Sequence, residues 1–246
     1  MLLNLKRIFR FFKFYKGPYF SWKSSKLDSI GYDNSKTLHF IYKTAKVAKK
    51  SGLLEKDGFV KKKFKTNPDL KKLIKQINTK KIEILDFGGG YGTLYFQYKK
   101  FINRYNWHIV EQKKVCDFAK TFLSKEKKLF YYSKLSHLPK KKFDIILLSS
   151  SLQYIEKYKH VLNLLKQFKS TYIIFLKTPI SPFPFDIVFK QKIPQEAYIG
   201  SYPSWIFSKK TINELLLPNY FLFKKKLVEP KLFFSNHADL FFKKND

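Results

Sequence analysis

The chain is poor in several residue types on which other classes of protein depend. Of its 246 residues only one is a cysteine, Cys116, so an internal disulfide is excluded and the reducing cytosol is the expected compartment. The five histidines, at positions 39, 108, 137, 160 and 237, include no pair at metal-ligand spacing, and we expect no metal site. No run of 18 uncharged apolar residues occurs, so the sequence predicts no membrane-spanning helix.

Acidic residues and arginine are also scarce. The chain has 50 cationic and 18 acidic residues, a net charge of +32, and only three of the cations are arginines. Such a charge favours nucleic acid as a partner. However, the lysine clusters at 61–63, 140–142 and 224–226 are spread along the chain, and phosphate and base readout favour guanidinium groups. We therefore attribute the lysines to an AT-rich genome and expect no nucleic-acid partner.

Most of the functional information lies in residues 82–93, which read Ile-Glu-Ile-Leu-Asp-Phe-Gly-Gly-Gly-Tyr-Gly-Thr. An apolar strand leads into a carboxylate, Asp86, and then into a turn containing Gly88, Gly89, Gly90 and Gly92 that opens a helix. Glycines allow positive φ and let a ligand lie against bare main chain. The segment therefore predicts a site for a nucleotide-shaped cofactor.

Two cofactors compete for this loop. The dinucleotide fingerprint G-x-G-x-x-G fits Gly88 and Gly90, but Thr93 stands where the third glycine belongs. Asp86 would also repel a pyrophosphate bound at the helix N-terminus. S-adenosylmethionine instead carries an ammonium and a sulfonium, which a carboxylate beneath the loop attracts. Charge therefore favours S-adenosylmethionine over a nicotinamide dinucleotide.

A second carboxylate follows the next predicted strand. Residues 107–112 read Trp-His-Ile-Val-Glu-Gln, at about the twenty-residue interval expected after such a loop. Glu111 can accept hydrogen bonds from both ribose hydroxyls, and we assign it and the adjacent Gln112 to the cofactor site. A surface glutamate at a strand end is the alternative, but the pairing with the loop favours the cofactor role.

These segments resemble the class I S-adenosylmethionine-dependent methyltransferases, whose first motif is an apolar strand ending in Asp or Glu and followed by G-x-G-x-G. Asp86, Gly88, Gly90 and Gly92 match that motif. A narrower resemblance is to a methyltransferase family encoded among genes for bacterial surface-polysaccharide synthesis of the O-antigen type. The segments similar to that family are 21–22, 31–33, 55–58, 85–89, 107–112, 149–154, 177–179 and 201–205. Lys177 stands where that family is expected to have arginine, so a bidentate contact there is not predicted.

The resemblance implies an α/β fold with a doubly wound, mostly parallel seven-stranded sheet of Rossmann-like type and an N-terminal helical extension. We expect an extension over 1–60, acting as a lid or docking segment, and a methyltransferase domain over 61–246. The pattern predicts further strands at 129–132, 143–148, 172–176 and 220–228, helices at 157–169 and 208–217, and a hairpin strand at 232–234. Pro179, Pro182 and Pro184 predict irregular structure through about residue 203, which would roof the acceptor pocket.

Acceptor-binding residues are expected after the fourth strand, at residues 149–154. The sequence there is Ser-Ser-Ser-Leu-Gln-Tyr, whereas enzymes of this superfamily that methylate amines of bases resemble one another in an Asx-Pro-Pro-aromatic loop. Hydroxyls and an amide suit a sugar or the cofactor. We assign Ser149 and Ser150 to the cofactor, with capping of the next helix as an equal alternative, and Gln153 and Tyr154 to the substrate.

The general base is the least defined residue of the prediction. Asp33, in the N-terminal segment, is assigned a catalytic role if that segment folds over the site, and His137 after the third strand is another candidate. A solvated surface role is the alternative for both.

Residues 1–16 combine cations with large apolar side chains. At about 100° per residue the cations fall on one arc of a helix and most of the apolar side chains on the other. Such a helix predicts peripheral docking to an anionic leaflet, and packing on the domain is an equal alternative. Charges interrupt every candidate hydrophobic region, so we expect no signal peptide.

The resemblance implies transfer of a methyl group from S-adenosylmethionine to a hydroxyl of a surface-polysaccharide precursor, either a nucleotide sugar or a lipid-linked glycan, at the inner face of the membrane. Two alternatives stay open. One is an RNA-modifying methyltransferase, which only the net charge favours. The other is a non-catalytic scaffold protein with a degenerate cofactor loop.

Overall fold

A computed structural model of the chain describes residues 2–31, 35–56, 58–139, 142–193, 200–231 and 235–245. The helices are α1 Leu2–Phe14, α2 Trp22–Leu27, α3 Ser35–Lys50, α4 Pro68–Gln76, α5 Thr93–Tyr98, α6 Lys113–Phe122, α7 Tyr158–Lys166 and α8 Lys209–Leu216. The strands are β1 Tyr15–Tyr19, β2 Leu54–Lys56, β3 Phe59–Lys61, β4 Ile82–Phe87, β5 Tyr105–Val110, β6 Leu129–Tyr132, β7 Ile145–Ser149, β8 Tyr172–Ser181, β9 Ile187–Lys192, β10 Ser201–Ser208, β11 Tyr220–Lys231 and β12 Asn236–Lys244. Short 3₁₀ turns occur at Lys99–Phe101, Leu135–His137 and Leu152–Tyr154.

Seven of the strands form the predicted doubly wound sheet. Their order is β6-β5-β4-β7-β8-β12-β11, in which the first five are parallel and β12 is antiparallel to both of its neighbours. The strand predicted at 129–132 is β6 itself, and those predicted at 143–148 and 172–176 correspond to β7 and β8. The α/β, mostly parallel fold class is therefore confirmed.

Three further strands extend this sheet to ten, against the seven predicted. β8 continues to Ser181, and β10, β9 and β1 follow beside its second half. The irregular excursion predicted after residue 178 is therefore wrong in large part, because Pro179 lies within β8 and Pro203 within β10. β7 ends opposite Leu176 and β10 pairs only from Ile180, so Pro179 lies between these two partners and removes no donor from a ladder on that side.

The C-terminal helix is capped as predicted. Ser208 caps α8 by accepting a hydrogen bond from the Lys210 amide at 3.1 Å, as the sequence indicated. β11 pairs with β12, and the hairpin strand predicted at 232–234 lies outside the described residues. The helical pattern and the polar cap are local signals, whereas the pairing of β11 with β12 depends on register across the sheet.

The N-terminal segment is built into the sheet. The predicted helix over 1–16 ends at Phe14, because residues 15–19 contain Gly17 and Pro18 and pair as β1 with β9. α1 packs Phe11 on this extension, with its ring 5.1 Å from that of Phe189. The boundary predicted between residues 60 and 61 falls within β3.

The apolar core lies on both faces of the sheet, because successive side chains of a strand point to opposite faces. In β4, Ile84 belongs to the cluster that packs against α3, α4 and α6, whereas Leu85 belongs to the cluster that packs against α7 and α8. The carboxyl end of β4 is thereby fixed from both sides. No helix among the described residues is long and apolar enough to cross a membrane.

Candidate cofactor and acceptor site

A cavity of about 1010 Å³ lies at the carboxyl ends of β4, β5, β7 and β8. It is bordered by the glycine loop after β4, by the segments that follow β5, β6 and β7, by Lys177 in β8, and by residues from β11 and β12. Open parallel sheets bind their ligands at this edge. Pockets for drug-sized ligands have volumes of about 300–1,000 Å³, so this cavity is large enough for a ligand of nucleotide size.

Asp86 lies beneath the glycine loop and is fully buried. Its Oδ2 accepts a hydrogen bond from Trp107 Nε1 at 3.1 Å, and its Oδ1 has no hydrogen-bond partner among the described residues. Burial raises the pKa of Asp86 to about 7, with the charge of Glu111 adding to the rise and the Trp107 hydrogen bond opposing it. A cation bound above this carboxyl would lower that pKa and restore the charged form.

The glycine loop passes close over the Asp86 carboxyl. A Cβ added at Gly89 would lie 2.7 Å from the carboxyl oxygen of Asp86, so only glycine allows this close approach. Gly90 has a φ of +54°, and a Cβ there would meet no atom within 4 Å. Its outer side is therefore free for a ligand.

Glu111 follows β5 and faces the same loop. Its Oε2 accepts from the Gly90 amide at 3.3 Å, and its Oε1 accepts from the Gln112 amide at 2.8 Å. Glu111 and Gln112 both border the cavity, and Gln112 also begins α6 as its N-cap residue. Main-chain donors thus orient the carboxylate at the border of the cavity, where a carboxylate can also accept from ribose hydroxyls.

The predicted cofactor residues gather in one place, with one exception. The residues bordering the cavity are Asp86, Gly88, Gly89, Gly90, Glu111, Gln112, Ser149 and Ser150. Gly92 does not border it. With a φ of +81° it begins α5, and its Cβ position faces Leu129 and Tyr131 in the core. Its match to the motif therefore reflects the entry into the helix and not a contact with the cavity.

Ser149 and Ser150 lie where β7 ends. Ser150 has a φ of +53°, unusual for a residue with a Cβ, and its amide donates to the Leu176 carbonyl at 2.9 Å. The 3₁₀ turn at Leu152–Tyr154 receives no capping hydrogen bond from a side chain, so the structure offers no support for the capping alternative. Strained backbone of this kind often occurs at functional sites.

The predicted acceptor residues separate into two groups. Tyr154 borders the cavity, donates a hydrogen bond to Gln191 Oε1 at 2.9 Å, and packs edge-on against Tyr202. Gln153 is buried and is not among the described residues that border the cavity. The 3₁₀ turn rotates about 120° per residue and points neighbouring side chains in different directions.

Only one of the two predicted bases lies in the part of the chain that the structure describes. Asp33 lies outside the described residues. His137 is exposed, faces Ser133, and does not border the cavity.

Asp239 was not among the residues predicted from the sequence. It is a buried carboxyl that borders the cavity from β12. Its Oδ1 accepts from the Lys177 amide at 2.9 Å and its Oδ2 from Asn67 Nδ2 at 2.6 Å. Burial raises its pKa, and these two donors and the nearby charge of Lys226 oppose the rise. The signal was present, since residues 238–242 read Ala-Asp-Leu-Phe-Phe and place one acid inside an apolar strand.

Comparisons with known proteins bear on the fold. No family model matches the chain, and no curated protein sequence is significantly similar to it. The glycopeptide N-methyltransferase MtfA complexed with S-adenosyl-L-methionine superposes with a TM-score of 0.53 at 8% identity, over 72% of this chain and 87% of that chain. The N-terminal domain of EvdMO1, in the presence of S-adenosylhomocysteine and D-fucose, superposes with 0.54 at 11% identity, over 78% and 90%.

The O-methyltransferase from a trans-AT polyketide synthase multienzyme of Brevibacillus brevis, in complex with S-adenosyl-L-homocysteine, superposes with a TM-score of 0.52 at 13% identity, over 72% of this chain and 71% of that chain. The chain has the fold of the class I S-adenosylmethionine-dependent methyltransferases.

Proposed function

We propose that the chain is an S-adenosylmethionine-dependent methyltransferase that acts on a hydroxyl group of a surface-polysaccharide precursor. The observation that carries this proposal is the arrangement of Asp86, the loop glycines and Glu111 around one cavity at the carboxyl edge of a methyltransferase fold. The neighbours crystallised with S-adenosylmethionine or S-adenosylhomocysteine support the same cofactor.

The residues present fit this cofactor and not a dinucleotide. Asp86 Oδ1 is buried and has no hydrogen-bond partner in the described structure, and burial raises the pKa of this carboxyl. A cationic ligand would stabilise its charged form. A diphosphate at the same loop would oppose ionisation of Asp86 and be repelled by its charged form. The open side of Gly90 allows the ligand to reach the main chain.

The bound cofactor supplies a methyl group activated by positive sulfur. The protein holds the two reactants in line, which lowers the barrier by roughly 7–11 kcal/mol relative to free reactants. The Gly90 and Gln112 amides orient the Glu111 carboxylate, which accepts hydrogen bonds from the ribose hydroxyls. Tyr154 and Tyr202, whose rings meet edge to face, form one wall on the acceptor side of the cavity.

Three observations support a small polar acceptor. The cavity extends beyond the cofactor loop to hydroxyl groups and aromatic rings, which suit a sugar. Six of the segments that resemble the polysaccharide-associated family contribute residues to its border, namely 55–58, 85–89, 107–112, 149–154, 177–179 and 201–205. The domain of EvdMO1 was crystallised in the presence of D-fucose.

The charge around the cavity disfavours RNA. Among the described residues that border it, six of 39 are lysines, compared with 47 of 246 in the whole chain. The same border includes four acidic residues, Glu55, Asp86, Glu111 and Asp239. The lysines are thus not concentrated where a phosphate backbone would have to lie.

Calorimetry tests the cofactor. We expect S-adenosylmethionine and S-adenosylhomocysteine to bind, and we expect titration with NAD to give no measurable heat of binding. Tight binding of NAD without binding of the methyl donor would overturn the proposal.

Methyl transfer tests the enzyme against the scaffold alternative. Radiolabelled S-adenosylmethionine is incubated with the protein and a carbohydrate extract from cells that lack this chain. We expect label in the glycan or nucleotide-sugar fraction, and no label in RNA from the same cells. Cofactor binding without transfer to any fraction would support a scaffold.

We also propose that α1 docks the protein on the inner, cytoplasmic face of an anionic membrane. Phe11 faces the sheet extension, but Leu5, Phe9 and Phe12, spaced four and three residues apart, are exposed on one stripe of the helix. Lys13 is also exposed, and the whole chain carries a large positive charge. An apolar stripe beside cations is typical of interfacial helices.

Sedimentation with vesicles tests the docking. We expect Phe9→Ser to weaken binding to vesicles rich in phosphatidylserine by about tenfold, because a buried phenylalanine side chain contributes about 1.5–3 kcal/mol. Val47→Ser, at another well-exposed apolar position on α3, is the matched control and should bind as the parent does. Equal binding of all three proteins would contradict the proposal.

A further inference from the structure

Asp239 lies on the acceptor side of the cavity. β12 is separated from β4 by β7 and β8, and neighbouring strands lie about 4.8 Å apart, so Asp239 is far along the sheet from the glycine loop. The cavity nevertheless reaches both places. An acceptor bound next to the cofactor, at the same edge of the sheet, would therefore lie beside Asp239.

The backbone around Asp239 is distorted in a way that directs it. In the pairing of β12 with β8, Ala238 lies opposite Thr178 and Leu240 opposite Phe175, so Leu176 and Lys177 face the single residue Asp239. This is a β-bulge, a feature that re-aims side chains and is frequent beside active sites. Lys177 within the bulge has a φ of +52°.

The carboxyl of Asp239 is held but not saturated. Each oxygen accepts one hydrogen bond, from the Lys177 amide and from Asn67 Nδ2. A carboxylate oxygen has two acceptor sites, so the part of the chain that the structure describes leaves one on each oxygen for a substrate. The titratable groups facing the carboxyl are Lys177 from β8, Lys226 from β11 and Tyr98 from α5.

We propose that Asp239 is the general base that receives the proton of the acceptor hydroxyl; this inference rests on the proposed methyltransferase function. The hydroxyl oxygen attacks the methyl carbon as its proton passes to Asp239. The new oxygen–carbon bond forms, the carbon–sulfur bond breaks, and its electron pair stays on the sulfur, which becomes a neutral thioether. Asp239 then releases the proton to solvent.

A structural role is the competing explanation, since Asp239 joins β8 to the N-cap of α4 through Asn67. An exchange of the two side chains separates the roles. In the double variant Asn67→Asp/Asp239→Asn, aspartate remains a good N-cap and the new amide at position 239 can donate to it. The link between the two positions is therefore kept while the carboxylate leaves position 239.

The test uses the extract assay at saturating S-adenosylmethionine. We expect Asp239→Asn and the double variant both to lose about 10²–10⁴-fold in kcat. The double variant should nevertheless melt as the parent does and bind S-adenosylhomocysteine within about threefold of it. In the parent, kcat should rise with pH through an ionisation above that of an ordinary aspartate, because burial raises the pKa of Asp239.

Two results would overturn the inference. One is an Asp239→Asn variant that keeps kcat within about threefold of the parent, which would show that the reaction needs no carboxylate at position 239. The other is a kcat of the parent that does not change with pH. This result would exclude Asp239 as the general base even if both variants fail to fold. If the parent transfers no label at all, the proposed function itself fails, and the assignment of a base falls with it.

Discussion

The two ends of the cavity are encoded differently in the sequence. The cofactor end comes mainly from one continuous segment, residues 82–93, together with Glu111 one strand further along. The acceptor end brings together Asn67, Tyr154, Lys177 and Asp239, which are separated by more than 170 positions at their extremes. A local motif therefore identifies the cofactor end, whereas the acceptor end becomes visible only when the strands are paired.

The ends also differ in how each buried carboxyl is stabilised. Asp86 has one donor and an oxygen without a hydrogen-bond partner in the described structure, whereas each oxygen of Asp239 accepts a hydrogen bond. Burial raises the pKa of both carboxyls, and at Asp86 it raises the pKa to about 7. We infer that Asp86 depends on a bound cation for its charge, while the protein itself supports the charge of Asp239.

The largest effect that would test this difference is expected for Asp86→Asn. The folded state raises the pKa of Asp86, so its neutral carboxyl contributes its full stability below the ordinary pKa of an aspartate. That contribution is lost as the pH rises towards about 7. Relative to the variant, the parent should therefore lose up to about 4 kcal/mol of unfolding free energy between pH 4 and pH 8. Urea unfolding at several pH values measures this, and S-adenosylmethionine should reverse the loss in the parent only.

Asp117→Asn is the control for the pH dependence of the unfolding free energy. Asp117 is exposed on α6, and its pairing with Lys113 at 2.9 Å lowers its pKa, so its contribution has the opposite sign. Parallel pH profiles for the parent and Asp86→Asn would show that Asp86 is not held in its neutral form. The contrast between the two ends of the cavity would then be lost.

The second largest effect should separate two neighbouring glycines. A Cβ at position 89 would press on the buried Asp86 carboxyl, so Gly89→Ala should cost about 1–3 kcal/mol of stability as overpacking does. A Cβ at position 90 meets no protein atom and should cost only about 1 kcal/mol for its positive φ. Gly90→Ala should instead weaken binding of S-adenosylhomocysteine by at least tenfold.

Denaturant unfolding and calorimetry on both variants provide the comparison. If Gly90→Ala binds S-adenosylhomocysteine as the parent does, then the cofactor does not lie against the loop. If Gly89→Ala is as stable as the parent, then the loop has room that the structure does not show.

The limits of sequence-based prediction follow the same division. β6 and the Ser208 cap were predicted from local pattern because propensity, apolar runs and capping act over a few residues. Pro179 was misinterpreted because its tolerance depends on which strands lie beside it. The position of Gln153 depends on a 3₁₀ turn that no local pattern indicated. The sequence marks Asp239 only as one acid inside an apolar strand, and its place at the cavity depends on the pairing of β12 with the β8 bulge.

The smallest predicted effect isolates the acceptor end. Tyr154→Phe removes the hydrogen bond to Gln191 Oε1 and should cost about 0.5–1.5 kcal/mol of unfolding free energy, since both groups are only partly buried and water can replace the lost donor. The ring and its edge-on contact with Tyr202 remain. Affinity for S-adenosylhomocysteine, measured by calorimetry, should stay unchanged, while the KM for the carbohydrate acceptor rises. A parallel loss of cofactor affinity would mean that the two ends of the cavity act as one unit and that their separation along the sheet carries no functional division.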